Sequence, residues 1–504
     1  MRRRDLLIGL TAFAATATGG SPPASRRAGA ADPALPAPAP APASGSARPP
    51  FWGINTNIKY RRDDPEYRAT MIALARELNM EYVREAVFGS GGTDVDVPFD
   101  WRWLDRTMDD LEAAGLGCVL ALRIEDCRNP DSYGLLWERN VRHRVGTAAK
   151  RYGRRILWYT PWNEPDHEAV DLEIVLRAQS IVFDELKSVD EGLLLASAPL
   201  TTPRGAHDAM YRLCEGGITR HCDYLACHLH HGVHDGSRNS LKHAWLAQQR
   251  ANASRGHPLR PVVLSENGYR WTVVRHPEQQ LLRAHWARLN QVQVKRYGYD
   301  KGIVYSLALS RSQQGTFNLV DPDAGYARYQ PTFDAYREAY NPETWSIGRG
   351  FNGGFEESQT DPTLGWVVHY DPLSLSGSRE IFAEWERVSF RTDGVGARTG
   401  QGYCRMTAGD ENKVRRLVEG LTRGRPYELA AWVRLSGTGA GAQLAAMGHN
   451  RLNGLDDRIS STGEGERWVE LRTRFTPSHT WVVIGLDHNG RGEAFWDDVT
   501  LQPA

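Results

Sequence analysis

Along the chain, apolar runs of four to eight residues alternate with longer stretches whose apolar residues recur every three to four positions. Runs of that length read as buried strands, and a 3.6-residue period reads as an amphipathic helix. Strands are predicted at 52–55, 82–87, 118–124, 156–162, 193–198, 224–230, 262–266 and 303–309. Helical patterns lie between them, as at 67–79, 103–114, 172–186 and 278–293. Near-continuous apolar strands alternating with helices imply a parallel sheet covered on both faces. Eight such repeats suit a (β/α)8 TIM barrel, with a doubly wound open sheet as the structural alternative. After residue 340 the pattern changes to short alternating runs such as "YELAAWVRL", "TWVVIGL" and "AFWDDVTL", broken by Gly, Asn, Asp and Ser. That texture predicts an all-β jelly-roll sandwich.

The ends of the pattern set the domain limits. Residues 1–30 open with "MRRRDLL", run through a short apolar stretch and reach a small-residue "AGA". This reads as a signal peptide of twin-arginine type, and secretion or a periplasmic location is expected. The apolar run is too short for the ~20 residues of a membrane span. Residues 31–50 are a Pro/Ala-rich linker unable to bury a core. The barrel is placed at 51–342 and the β-sandwich at 349–504.

Composition adds exclusions. Lys plus Arg equals Asp plus Glu at 61 each. A nucleic-acid binder carries a basic excess or stripe, so no nucleic-acid partner is expected. Six cysteines without C-x-x-C spacing leave buried thiols and one or two disulfides both open. A monomer is expected.

The chemistry sits in two strand ends. Catalytic groups of a (β/α)8 barrel lie at the C-terminal ends of its strands. The fourth predicted strand runs into "WNEP", where Pro165 ends the ladder just after Glu164. The seventh, "VVLSENGY", carries Glu266. The barrel would bring both to one mouth, and glycoside hydrolysis needs such a pair, one to protonate the leaving oxygen and one to attack or to activate water.

"WNEP" on strand four with "SENG" on strand seven resembles the clan-A (β/α)8 retaining glycoside hydrolases of the cellulase-like family 5 and family 39 type, over residues 51–340. The resemblance implies Glu164 as acid/base, Glu266 as nucleophile and Asn163 as the partner of the sugar 2-hydroxyl. It implies Arg84 as the nucleophile's support and His228 as a rim histidine. Two departures stand out. His230 occupies a position often held by Tyr, and strand eight lacks the usual substrate-stacking Trp, offering Tyr305 and Ser306 instead. The sugar platform is then expected from Trp271. Asn163 beside Glu164 and Arg84 beside Glu266 are expected to raise the acid's pKa and keep the nucleophile charged. No cofactor is expected for catalysis.

Other features keep rivals open. His228, His230, His231 and His234, with Asp235 and Cys227 nearby, admit a metal-dependent hydrolase. The altered rim residues admit a non-catalytic glycan-binding protein with a degenerate barrel. Asn55 and Asn57 on the first strand suit sugar hydroxyls or a turn. Two or three of the barrel tryptophans are expected to line a cleft and the rest to pack. The "GGFE" start and "DDV" end of the sandwich resemble carbohydrate-binding modules of the family 4, 9 and 22 type, which implies a structural calcium at Glu356 and Asp498. A metal-free sandwich stands beside that reading. Trp385, Trp432 and Trp468 are its candidate sugar contacts. The expected substrate is a β-linked polysaccharide or oligosaccharide, and zero net charge points to a neutral glycan.

Overall fold

The structure is a computed structural model. It describes residues 51–504 apart from 88–98, 128–132, 169, 202–203, 233–239, 271–276, 309–316, 347–352, 357–364, 370–386, 408, 438, 449–458 and 464–465. The predicted leader and linker, Trp271, His234, Asp235, Trp385 and the side chain of His231 lie outside the described residues.

The chain folds as an α/β barrel followed by an antiparallel β-sandwich, as the hydrophobic pattern predicts. Seven strands form one parallel sheet: β1 Trp52–Asn55, β2 Tyr82–Ala86, β3 Gly117–Ala121, β4 Ile156–Thr160, β5 Leu225–Gly232, β6 Val262–Arg270 and β7 Lys301–Val304. Their order is β4-β3-β2-β1-β7-β6-β5. The predicted fifth strand survives as two parallel bridges, Tyr159 to Leu195 and Ala196 to Tyr224. Those bridges close the sheet, with Ala196 N donating to Tyr159 O and Ser197 N to Tyr224 O, each at 2.8 Å. Side chains explain why the segment is no longer a full strand. The Asp223 carboxylate accepts from Leu195 N at 2.8 Å, and the Ser197 hydroxyl accepts from Ala226 N at 2.9 Å. Both take ladder positions, the usual way short polar side chains compete with a sheet.

Helices pack outside this sheet, among them α1 Pro65–Glu77, α2 Arg102–Ala113, α3 Leu135–Tyr152, α4 Leu172–Val189, α5 Arg204–Glu215, α6 Ser240–Arg255, α7 Pro277–Arg296 and α8 Thr332–Ala339. Their starts follow local chemistry. Asp64 accepts from Tyr67 N at 2.9 Å, with Pro65 opening α1, and Asp171 accepts from Glu173 N at 3.0 Å at the start of α4.

One buried cluster fills the barrel: Tyr82, Val119, Trp158, Ala196, Ala226, Val263 and Ile303, a residue from each of seven staves. On β1 the matching residue is Gly53, where a Cβ would collide with the Tyr82 ring. Side chains alternate along a strand, so the next inward layer toward the C-terminal mouth holds Asn55, Arg84, Thr160, His228 and Tyr305.

Beyond the barrel, two five-stranded antiparallel sheets face each other. Phe355, Trp366, Leu429, Val433, Leu444, Ile484, Leu486 and Trp496 fill the space between them. One strand, Gly409–Glu419, was not legible as a strand because it is rich in charge. Its Arg415 is fully buried and paired with Asp487. Pairing is the condition on which a buried charge is tolerated.

Barrel and sandwich share a core, since Leu417, Ala445, Met447, Trp481 and Val483 pack in the same cluster as the barrel residues. At its centre Lys295 of α7, 1% exposed, lies 3.1 Å from Glu419. Its ammonium sits 3.3 Å from the Phe51 ring centre and 4.1 Å from that of Trp481. All six cysteines are free thiols. Among the described residues no helix is long and apolar enough to cross a membrane.

Candidate active site

The two glutamates meet at the mouth, Glu164 past the end of β4 and Glu266 in the middle of β6, which runs four residues beyond the predicted strand. One ligand atom each from Glu164, His228, His230 and Glu266 fall within 4.8 Å of one another. Glu164 lies past β4, with φ at +51°. That left-handed conformation is uncommon for a residue with a Cβ and is held by its surroundings. Glu164 N donates to Pro199 O at 3.1 Å, and Asp166 accepts from Thr201 N at 3.0 Å and from the Thr201 hydroxyl. The residues after the bridging segment therefore anchor the "NEPD" turn.

Glu266 faces inward because β6 carries a bulge. Cys227 pairs with Leu264 while His228 pairs with Glu266, so Ser265 is the extra residue. Val263 points into the barrel, and strict alternation would send Ser265 in after it. The bulge re-aims Glu266 instead, a known use of bulges beside active sites. Two residues on, a Cβ at Gly268 would collide with the Tyr305 carbonyl, so this position needs glycine.

Arg84 organises the floor. Its guanidinium donates to Glu266 through Nη1 and to Asn163 Oδ1 through Nη2 at 2.8 Å. Asn55 fits beside it with the amide accepting from Nη1 and donating to Arg84 O, both at 3.2 Å. The side chains of Arg84 and Glu266 are 5% and 8% exposed. His228 Nδ1 lies 2.7 Å from Glu164 Oε1 and 3.8 Å from Glu266 Oε2, and His230 Nε2 lies 3.3 Å from Glu266 Oε2. A carboxylate can only accept, so the Nδ1–H of His228 donates to Glu164.

Electrostatics favour a charged Glu266. Burial pushes its carboxyl up, but the charges of His228 and Arg84 and the bond from His230 outweigh it and hold the group well below the usual range. Glu164 departs from expectation. Burial pushes it up, yet the hydrogen bond and charge of His228 hold it below the ordinary value. Asn163, expected to act on Glu164, instead accepts from Arg84.

Trp271, the expected sugar platform, lies outside the described residues. Trp52, Trp103, Trp158 and Trp162 are buried packing residues. Among the described residues, the ring of Tyr305 stands at the mouth, 5.2 Å from the His230 ring and 5.3 Å from Phe317. It stands where the missing strand-eight Trp was expected, and β-strand parity was the signal for it. Asn57 makes a turn, with φ at +60° and its amide on Ala308 O at 3.0 Å. Glu85 and Lys59, both buried at this end of the barrel, were not singled out in the sequence.

In the sandwich, Glu356 and Asp498 flank one loop but meet donors. Glu356 accepts from Gln401 N and Gly402 N at 2.9 and 3.0 Å. Asp498 accepts from the Thr399 hydroxyl at 2.7 Å and the Arg398 guanidinium at 2.5 Å. A donor set of N–H groups and a guanidinium does not fit Ca²⁺, which wants oxygen ligands. Arg398 also covers the Trp432 ring at 3.7 Å.

No protein family matches the chain by sequence profile, and no curated protein matches it. Among solved structures the chain is similar to a GH39 beta-xylosidase from Caulobacter crescentus, at 13% identity over 87% of this chain and 96% of that one, with a TM-score of 0.42. It is similar to the exo-beta-1,4-mannosidase Op5Man5 from Opitutaceae bacterium strain TAV5, at 13% identity over 58% and 59%, TM-score 0.44. It is also similar to TmCBM61, solved with beta-1,4-galactotriose, at 19% identity over 31% of this chain and 97% of that one, TM-score 0.23. Each likeness concerns the fold alone.

Proposed function

We propose that the chain is an exported retaining glycoside hydrolase acting on a β-linked glycan. The observation that carries this reading is the pair of carboxylates at the barrel mouth with ligand oxygens within 4.8 Å, one of them clamped by Arg84. Retaining enzymes hold their carboxyl groups ~5–5.5 Å apart, whereas inverting ones leave ~6.5–9.5 Å for a water. Glu266, ionised beside Arg84, attacks the anomeric carbon as Glu164 gives its proton to the leaving oxygen. A covalent glycosyl ester forms on Glu266. Glu164, now a base, takes a proton from water, which attacks the same carbon and frees Glu266. Asn163, fixed by Arg84, faces the sugar 2-hydroxyl. Glu164 must be protonated for the first step, and His228 opposes that in the free site. Substrate entry that loosens the His228 bond would return Glu164 to its burial-raised pKa.

We assign glycan binding to the sandwich. A Ca²⁺ there would have to displace Arg398 from Asp498, and a calcium-dependent rise in melting temperature would show it doing so.

A second reading has its own observation. Two carboxylates and two imidazoles within 4.8 Å form a mixed donor set of the kind Zn²⁺ takes. The Arg84 cation on Glu266 opposes a metal there. Incubation with a panel of β-glucans, xylans, mannans and galactans, beside Glu266→Gln, tests the proposal. Cleavage with retained anomer by NMR, abolished in the folded variant and indifferent to chelator, is expected. Chelator loss would favour the metal reading, and binding without cleavage would favour a glycan-binding protein.

A further inference from the structure

Among the described residues, several cations at the barrel mouth are matched with carboxylates. Arg84 holds Glu266, Arg123 Nε lies 3.3 Å from Glu125, and His228 holds Glu164 at 2.7 Å. Lys59 has no such partner. It sits on the turn Ile58–Arg61 that follows β1, and it is 8% exposed. Glu85, the acid nearest in sequence register, is committed to holding that turn. It accepts from Ile58 N at 3.0 Å, from Lys59 N at 3.2 Å and from the Thr56 hydroxyl. Among the described residues the Lys59 ammonium meets no hydrogen-bond acceptor and no carboxylate, and it lies 5.2 Å from the Tyr60 ring centre.

We infer that the sugar bound against Glu266 carries a carboxylate and that Lys59 is the group that pairs with it. This rests on the glycosidase reading above and names its substrate class. Lys59 is only 8% exposed, so its ammonium is poorly solvated, and a ligand that brings both a charge and acceptor oxygens supplies what its surroundings lack. A neutral hydroxyl supplies an acceptor but no charge. Burial supports the placement, since it lowers the Lys59 pKa to about 8, and both Glu85 and Glu266 act on it in the opposite direction. The group is therefore mainly cationic at neutral pH and near the reacting centre. The zero net charge of the chain, read as favouring a neutral glycan, averages over a surface this lysine does not share. Sequence could not reveal it, because a single Lys in "NIKYRR" looks like a solvated turn residue.

The test compares aryl β-glycosides that differ by one group: glucuronide with glucoside, and galacturonide with galactoside. The full chain is expected to prefer the acid of a pair in kcat/KM. In Lys59→Met, which keeps the buried stem, the acid-to-neutral ratio is expected to fall about 10- to 150-fold, the worth of a hydrogen bond to a charged group. Preference for the neutral sugar, with a ratio unmoved in the variant, would overturn the inference and leave the hydrolase reading intact. If no glycoside is cut, the hydrolase reading fails instead. Calorimetric binding of galacturonate and glucuronate against galactose and glucose then decides the role of Lys59. Tighter binding of the acids, lost in the variant, upholds it, and equal binding overturns it. Should Lys59→Met not fold, the same acid-against-neutral comparison on the unaltered chain decides alone.

Discussion

Replacing Arg84 with methionine removes one of the charges that, with His228, keep Glu266 ionised. Both side chains are nearly buried, at 5% and 8% exposure. Breaking such a pair by deleting one partner costs about 3–5 kcal/mol, because the remaining charge is left uncompensated. At pH 7 the carboxyl can avoid ionising by keeping a proton. An unfolded Glu titrates near ~4.3, so the gap of about 2.7 units limits that penalty to ~3.7 kcal/mol at ~1.36 kcal/mol per unit. The two figures agree. The pH dependence follows from sign. In the unaltered chain the folded pKa of Glu266 is depressed, so its contribution is full above ~4.3 and fades as pH falls toward the folded value. In Arg84→Met the folded pKa rises from that depressed value, so the stabilisation present above ~4.3 is reduced there, while below the original folded value there was none to lose. Urea unfolding should therefore show a gap of about 3–4 kcal/mol at pH 7 that narrows below pH ~4. The same change moves the acid limb of kcat/KM upward, since a protonated nucleophile is inert. An unmoved acid limb with an equal stability loss at both pH values would show that Arg84 merely packs.

Other perturbations follow from the same geometry. His228→Asn removes the hydrogen bond that holds Glu164 low, so burial raises its pKa and the alkaline limb of kcat/KM moves to higher pH; a limb that stays put would sink that assignment. Lys295→Met removes the buried cation beside Glu419 in the shared core and should cost about 3–5 kcal/mol, with barrel and sandwich still melting in one calorimetric transition. Two separate transitions would mean the sandwich is merely tethered. Gly268→Ala forces a Cβ against the Tyr305 carbonyl and should lower kcat by displacing Tyr305 and Glu266; unchanged kcat would rule that out.

The alternation of apolar runs and 3.6-residue patterns carried the barrel, because buried parallel strands must be apolar on both faces. Glu164 and Glu266 were legible as a pair of acids, though β6 runs on to Arg270 and leaves Glu266 in mid-strand. Which way Glu266 points was not. A bulge at Ser265 reverses the parity of β6, and nothing in "VVLSENGY" marks the inserted residue. The fifth strand shrank because Asp223 and Ser197 intercept ladder groups, a contact between segments distant in sequence. Gly409–Glu419 was not picked out as a strand, because burial of Arg415 depends on Asp487, far along the chain. Each miss involves a long-range pairing that overrides local pattern.

The most direct test of the two-glutamate chemistry is to trap the covalent intermediate. A 2-deoxy-2-fluoro β-glycoside with a good leaving group, matched to the glycan the protein cleaves, slows breakdown of the glycosyl ester. Mass spectrometry of the digested protein should then place one sugar on the peptide containing Glu266, and none on that peptide in Glu266→Gln. A label on Glu164, or burst-free turnover with inverted product and no adduct, would contradict the mechanism.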